Sequence, residues 1–245
     1  MRYSYSRVQT FKQCPMKYKL RYVDKLKTVP DQSASNALYL GIGLHTGIEK
    51  TPQEGVEEYK SNFYIVTNEI INWGIQIEYW AEKVKELLPP GGQHEATLMT
   101  DDYIGFIDYV TDDTILDFKF TTPKNYQRYL ESSQLKIYAH YWKKLHPESN
   151  IKHLKYVFIP KSAVRQRRNE TIQQFRQRLI ETLDTMKIEI VEVPYDGCDD
   201  DSVTQFVEDC KRIEIARDFP KNETPLCQWC DYCNYCLNGE DYDIV

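Results

Sequence analysis

Two aspartates and a lysine carry the chemistry most readily assigned in this 245-residue chain. Asp108 closes the run Gly105-Phe106-Ile107-Asp108, and Asp117 and Lys119 flank Phe118 a few residues on. Residues two apart on a β-strand share a face, so Asp117 and Lys119 present a carboxylate and an ammonium side by side, while Leu116, Phe118 and Phe120 point the other way. If Asp112–Asp113 forms a two-residue hairpin turn, Thr111 faces Thr114, and counting outward sets Asp108 opposite Asp117. Opposed carboxylates have Cβ atoms about 4.5–5.5 Å apart and repel. A hard divalent cation relieves that repulsion, because Mg²⁺ and Mn²⁺ take carboxylate oxygens and retain waters. Such a metal polarises a phosphoryl oxygen and acidifies a water, and a nearby lysine orients the water or stabilises developing charge. Those are the parts of phosphodiester hydrolysis. Taken alone, Asp and Asp-x-Lys are common, and an exposed hairpin with scattered acids is the plain alternative.

Cysteines mark a second candidate site. Cys227, Cys230, Cys233 and Cys236 form C-x₂-C-x₂-C-x₂-C, and Cys14, Cys198 and Cys210 complete the seven in the chain. The N-terminal residues lack the continuous apolar core of a secretory signal. Disulfides are therefore disfavoured and metal binding is favoured. Zinc and iron–sulfur clusters both accept four thiolates, so the spacing leaves the metal open and allows a site built from the four late cysteines alone. Cys198 and Cys210 read as plain thiols.

These groups need elements to hold them. Ser6 and Gln9 have the S-x-x-Q form of a capping box, which predicts a helix from Arg7. Pro15 opens a short second helix carrying Tyr18 and Tyr22. Residues 28–36 read as a loop, and 37–50 and 54–88 as helical, with breaks at Pro52–Gly55 and Pro89–Gly92. Glu95–Thr100, Tyr103–Val110 and Thr114–Phe120 are β-prone runs separated by acidic turns. A helix from about Tyr126 to Leu145 follows, then a strand over Leu154–Ile159. Ile172, Phe175, Leu179, Leu183 and Met186 recur at steps of three and four, the mark of a long amphipathic helix. Ile188–Val193, stopped by Pro194, reads as an edge strand, and 201–217 as a last helix. Helices, a three-strand meander, then helix, strand and helix describe an α/β domain around a mixed sheet.

Composition narrows the function. Lys and Arg number 31 against 37 Asp and Glu, for a net charge of −6. That excludes a general nucleic-acid coat, which needs many cationic contacts to phosphate. The charge is uneven, however: basic residues crowd 1–27 and 119–168, and acids crowd 196–218. A basic stripe on an acidic body suits a protein that grips a polyanion in one place, although solvated helix faces give the same pattern. No apolar run approaches the roughly 20 residues of a membrane helix, and the expected location is the cytoplasm. There is no G-x-x-x-x-G-K-[ST] loop, hence no ATPase of that type. Gly41-x-Gly43-x-x-x-Gly47 has the wrong spacing for a nucleotide fingerprint.

The ordered set of motifs resembles the PD-(D/E)XK nuclease superfamily, and within it the RecB-like, AddB-like branch with an iron–sulfur cluster, similar to the CRISPR-associated adaptation exonucleases. The residues that carry the likeness are Ser6 through Tyr22, Gly43-Leu44-His45, Gly105 to Asp108, Asp117-Phe118-Lys119, Gln134-Leu135-Lys136-Ile137-Tyr138, and Cys227, Cys230 and Cys236. The resemblance implies a restriction-endonuclease-like α/β fold, with a central mixed sheet flanked by helices, a helical N-terminal region and a Cys-rich C-terminal segment. It implies one nuclease domain over 1–245, with 95–160 as catalytic core and 1–27 joined to 220–240 through a metal or iron–sulfur site. His45, Asp108, Asp117 and the Phe118 carbonyl would hold Mg²⁺ or Mn²⁺, Lys119 would be the catalytic lysine, and Gln134 and Tyr138 would match the Q-x-x-x-Y motif beside the site. The 4Fe–4S ligands would be Cys14, Cys227, Cys230 and Cys236, with Cys233 a departure from the pattern and zinc the alternative metal. Linking Cys14 to Cys227 closes a loop of about 213 residues and would remove roughly 4–5 kcal/mol of unfolded-state freedom.

The expected activity is that of a DNA exonuclease on single strands or free ends, since a chain without a motor must meet open strands. Recombination, repair, phage DNA processing and CRISPR adaptation are the settings that fit, with protein partners from such pathways. Two other classes fit parts of the sequence. A non-catalytic DNA-binding or scaffold module would use the basic segments, but has no use for opposed carboxylates. A zinc-binding interaction protein would make the cysteines the main site, and a brown protein prepared without oxygen would reject it.

Overall fold

The computed structural model describes residues 1–198, 200–241 and 244–245. Its helices are α1 (Tyr5–Gln13), α2 (Pro15–Tyr18), α3 (Ala37–Glu49), α4 (Pro52–Ser61), α5 (Asn68–Leu87), α6 (Tyr126–Leu130), α7 (Gln134–Leu145), α8 (Ile172–Thr185), α9 (Asp201–Ile215) and α10 (Cys233–Asn238). The strands are β1 (Gln93–Met99), β2 (Ile104–Val110), β3 (Thr114–Thr121), β4 (His153–Pro160) and β5 (Glu189–Val193). The chain divides into two compact units, one of residues 1–31, 98–105 and 199–245, the other of 32–97 and 106–198.

Five strands line up in the order β1-β2-β3-β4-β5, of which β3, β4 and β5 lie wholly in the larger unit. β3 pairs antiparallel with β2 and parallel with β4, and β4 pairs antiparallel with β5. This is the mixed α/β sheet that the strand pattern predicts. Leu116 and Phe118 of β3 and Val157 and Ile159 of β4 pack with Leu44 and Ile48 of α3, Trp80 and Val84 of α5, and Phe175, Leu179 and Leu183 of α8. The amphipathic period read over 172–186 is thus the core face of α8.

Two predicted helices are each divided. The stretch 54–88 is α4 and α5, separated at 62–67, where Asn62 Nδ2 donates to the Glu58 and Tyr59 carbonyls and Thr67 Oγ1 caps the Ile70 amide. The expected break at Pro52–Gly55 is instead the start of α4, with Thr51 as cap and Pro52 in the first turn. The helix expected over 126–145 is α6 and α7, interrupted at 131–133.

Gly43 and Gly47 of α3 have a packing role. A Cβ on Gly55 of α4 would lie 2.6 Å from the Gly47 Cα, and one on Gly43 would lie 2.9 Å from the Gly55 carbonyl oxygen. Backbone therefore meets backbone where α4 crosses α3. His45 lies two residues from each of these glycines, roughly 200° around the helix, and so points away from α4.

In the smaller unit the first helix begins at Tyr5, two residues before the predicted start. Ser4, not Ser6, is the cap: its Oγ accepts the Arg7 amide. Pro15 opens α2 as expected, capped by Cys14 Sγ, and the chain continues as a π-helix over Lys19–Val23. Much of the N-terminal positive charge is used inside this unit. The Arg7 guanidinium lies over Tyr3, Tyr18 and Tyr22, 4.8–5.4 Å from their ring centroids. Lys12 pairs with the buried Asp209 of α9 at 3.1 Å, and Lys17 with Asp231 at 3.6 Å. The basic opening and the acidic later segment are thus partners here, which neither the polyanion-grip nor the solvated-face reading anticipates. No helix among the described residues is long and apolar enough to cross a membrane.

Candidate functional site

The β2–β3 hairpin has the predicted register. Thr111 N–H donates to the Thr114 carbonyl, and Val110 faces Ile115 and Tyr109 faces Leu116. The next positions in that count are Asp108 and Asp117. There the backbone pairing stops and a side chain takes over: Phe118 N–H donates to Asp108 Oδ2 at 2.6 Å. Asp117 is 1% exposed and lies on β3 beside Tyr156 of β4. Lys119 Nζ forms an ion pair with Asp117 Oδ2, which has no donor in hydrogen-bonding alignment. The same ammonium lies 5.5 Å from the Tyr129 ring centroid and 5.9 Å from that of Tyr156.

His45 reaches this group from α3. Its Nδ1 is 3.4 Å from Asp108 Oδ1 and 3.6 Å from Glu95 Oε1, and its Nε2 is 3.3 Å from the Phe118 carbonyl oxygen. One ligand atom each from His45, Glu95 and Asp108 lie within 4.8 Å of one another. Glu95 sits in β1 with φ of +48°, a left-handed conformation uncommon for a residue with a Cβ.

The charges are mutually dependent. Burial pushes the His45 imidazolium down, but Asp108 and Glu95 outweigh it and bring its pKa to about 9. Burial raises Asp108, His45 opposes that rise, and repulsion from Asp117 adds to it, for a value of about 6. Burial likewise works against the Lys119 ammonium, while Asp117 and Asp108 carry it above the ordinary lysine value. Three carboxylates converge on one imidazole and one ammonium. The donor set of carboxylate oxygens with one imidazole nitrogen fits a hard divalent cation such as Mg²⁺ or Mn²⁺.

Gln134 and Tyr138, on the same face of α7, are joined by a hydrogen bond of 2.8 Å from Gln134 Nε2 to the tyrosine oxygen. Glu95 and Tyr129 are the site neighbours that the motif reading passes over. Tyr129 gives no sequence signal. Glu95 does: if Asp101–Asp102 is a two-residue turn, Thr100 faces Tyr103, and counting outward sets Glu95 opposite Asp108.

The cysteine site lies in the smaller unit. Cys14, Cys227, Cys230, Cys233 and Cys236 line one cavity together with Lys17. Asn222 Nδ2 donates to the Gln13 carbonyl at 2.7 Å and Tyr232 Oη to the Leu26 carbonyl at 2.9 Å, drawing the C-terminal segment onto the opening helices. Burial raises the Cys236 thiol, Lys221 opposes it, and Cys14, Cys230 and Cys227 reinforce the rise. Cys210 is raised to about 12, by burial first and then by Asp102 and Asp209, and Cys198 is exposed.

A family model described as the PD-(D/E)XK nuclease superfamily matches residues 2–237. Among solved structures, a protein from Eubacterium rectale provisionally described as an exonuclease superposes with a TM-score of 0.61 at 13% identity, over 96% of this chain and 87% of that one. At that identity the likeness shows the restriction-endonuclease-like fold. No curated protein matches the chain.

Proposed function

Because the chain belongs to the PD-(D/E)XK nuclease superfamily, we propose that it is a Mg²⁺- or Mn²⁺-dependent deoxyribonuclease that degrades single-stranded DNA or DNA from free ends. The observation that carries the reading is the meeting of His45, Glu95 and Asp108 within 4.8 Å, with the Asp117–Lys119 ion pair beside them. His45, Glu95, Asp108, Asp117 and the Phe118 carbonyl are the groups that would hold the ion. When bound, the metal supplies Lewis acidity toward the scissile phosphate.

The protein's own groups do the rest. Lys119 stays protonated between two carboxylates and donates to the charge that grows on the phosphoryl oxygens. Asp117 orients that ammonium from the buried centre of the sheet. Asp108, fixed by the Phe118 amide, keeps one oxygen bound to backbone and turns the other toward His45. Gln134 and Tyr138 fix each other's rotamers on α7 and would position substrate at the edge of the site.

The same reading makes the cysteine site structural, with Cys14, Cys227, Cys230 and Cys236 holding a 4Fe–4S cluster that joins 1–27 to 220–240. Its support is the cavity that these four cysteines share with Cys233, and the rise of the Cys236 thiol, caused first by burial and reinforced by Cys14, Cys230 and Cys227. A cytoplasmic location belongs to the proposal too.

The test is digestion of end-labelled single strands by anaerobically prepared protein, with Mn²⁺ or EDTA, beside Lys119→Ala. Cleavage that needs Mn²⁺ and Lys119 supports the reading. Strands left intact by wild-type protein with Mn²⁺ reject it.

A further inference from the structure

A second cavity opens in the larger unit, where β3 and β4 end. It has a volume of about 550 Å³ and is lined by Trp73 and Gln76 of α5, Thr122, Lys161, Arg165 and Phe175. That is within the range of roughly 300–1,000 Å³ typical of small-ligand sites. Its polar groups are left open. The Lys161 ammonium lies 5.0 Å from the Phe120 ring centroid and 6.0 Å from that of Trp73. Among the described residues no carboxylate pairs with it or with the Arg165 guanidinium. Glu69, exposed at the rim, pairs with neither. Gln76 is 4% exposed. Its Oε1 accepts the Ser162 amide at 2.9 Å, and its amide nitrogen has no partner among the described residues. Trp73 is half-buried and held edge-to-face against Phe120, its ring nitrogen likewise unpartnered among the described residues.

Each feature asks for part of one ligand. A half-buried ammonium without a counter-ion is costly, and burial drives Lys161 down to about 8. An anion between Lys161 and Arg165 removes that cost. Trp73 offers an indole face for a flat heterocycle, and Gln76 a donor for its ring acceptors. Phosphate plus base is a nucleotide. Thr122 follows Asp117 by five residues, about 17 Å along an extended chain. Phe120, on which Lys161 and Trp73 pack, faces away from Asp117 and Lys119, so a strand with one phosphate at Asp117 reaches this cavity by rounding the ends of β3 and β4.

We propose that this cavity holds one nucleotide of the single-stranded DNA substrate, its phosphate against Lys161 and Arg165 and its base against Trp73. The proposal rests on the nuclease reading for the identity of the strand. The chemistry would also admit a free mononucleotide or phosphate, so those are arms of the test.

The test measures anisotropy of a labelled oligothymidylate on EDTA-treated protein, with intrinsic tryptophan quenching as a second readout. Trp73→Ala and Lys161→Gln should each weaken binding about fivefold or more, Trp73→Phe should retain most of it, and Trp73→Ala should lose the quenching. Thymidine monophosphate and inorganic phosphate should compete only at far higher concentration. Should Trp73→Ala melt early, Trp73→Phe and Lys161→Gln carry the test. Unchanged binding by Lys161→Gln and Trp73→Ala overturns the proposal, as does competition by mononucleotide or phosphate at oligonucleotide concentrations. Cleavage with Mn²⁺ is followed in parallel. Protein that binds the strand through Trp73 but never cuts supports the cavity and sinks the nuclease reading. Protein that cuts normally while the variants bind normally sinks the cavity alone.

Discussion

His45 Nδ1 lies 3.4 Å from Asp108 Oδ1, although one side chain hangs from a helix and the other from a strand more than sixty residues later. The contact depends on α3 lying against α4 backbone to backbone, which leaves His45 on the side of the helix away from α4, beside Leu44 and Ile48 that pack on the sheet. Gly55→Ala should therefore cost about 1–3 kcal/mol by overpacking and weaken Mn²⁺ binding as well, because α3 must move with His45 on it. Urea denaturation and Mn²⁺ titration of the same sample check both. A variant with wild-type values for each would contradict this packing.

The Asp117–Lys119 pair is the part of the site that neither a scaffold nor a zinc module needs. Asp117→Ala and Lys119→Ala are each expected to lower Mn²⁺-dependent cleavage about 100-fold or more, a loss typical of removing a group that stabilises developing charge. Initial rates on end-labelled single strands measure this. Rates within a few-fold of wild type would remove both residues from the mechanism.

Glu95 adopts the left-handed region with φ of +48°. Glycine tolerates that conformation and alanine does not. Glu95→Gly should accordingly be more stable than Glu95→Ala by about 1 kcal/mol, the reverse of the usual order in a strand, while both bind Mn²⁺ more weakly than wild type. Chemical denaturation of the two variants decides it, and an alanine variant as stable as the glycine one would deny the strain.

Glu170 accepts from Arg178 Nε and Nη2, both at 2.7 Å, and from the Arg167 amide. Those bonds, Arg178 first, hold its carboxyl at about 2, below its reference value of 4.5. A depressed folded-state pKa means the pair stabilises fully above pH 4.5 and loses that contribution as pH falls from there through about 2. The stability difference between wild type and Glu170→Gln should thus be largest near neutrality and shrink on acidification. A difference that stays constant from pH 6 to pH 3 would refute the linkage.

The thiol that distinguishes the two ligand sets is Cys14. Cys14→Ser should lose bound iron and the brown colour of anaerobically prepared protein, whereas Cys233→Ser should keep both. Iron analysis with the visible spectrum reads this directly. The opposite result would give Cys233 the fourth place, and equal zinc in both would replace iron altogether.

Much of the larger unit was legible because local rules governed it. The acidic turn at Asp112–Asp113 fixes the β2–β3 count, and the period of Ile172 to Leu183 marks a core face. Helix interruptions at 62–67 and 131–133 were not legible, since Asn62 and Thr67 act as stop and start only when their side chains turn back onto nearby backbone. Charge misled for a different reason. Arg7 and Lys12 look like a polyanion grip in one dimension, and only folding shows that Tyr22 and Asp209 already engage them. Glu95 was within reach of turn counting, but its left-handed backbone is a property of the assembled strand edge and leaves no mark in the residue order.

The smaller unit is stitched from residues 1–31, 98–105 and 199–245. On the ribosome its opening helices emerge early and their partners arrive last, so Lys12, which pairs with Asp209, and the Gln13 carbonyl, which accepts from Asn222, must wait through the synthesis of everything between. The stretch 32–198 can collapse meanwhile on contacts closer in sequence. On the proposed ligand set, cluster loading at Cys14 would then be a late event in biogenesis, because Cys227 is made more than two hundred residues later.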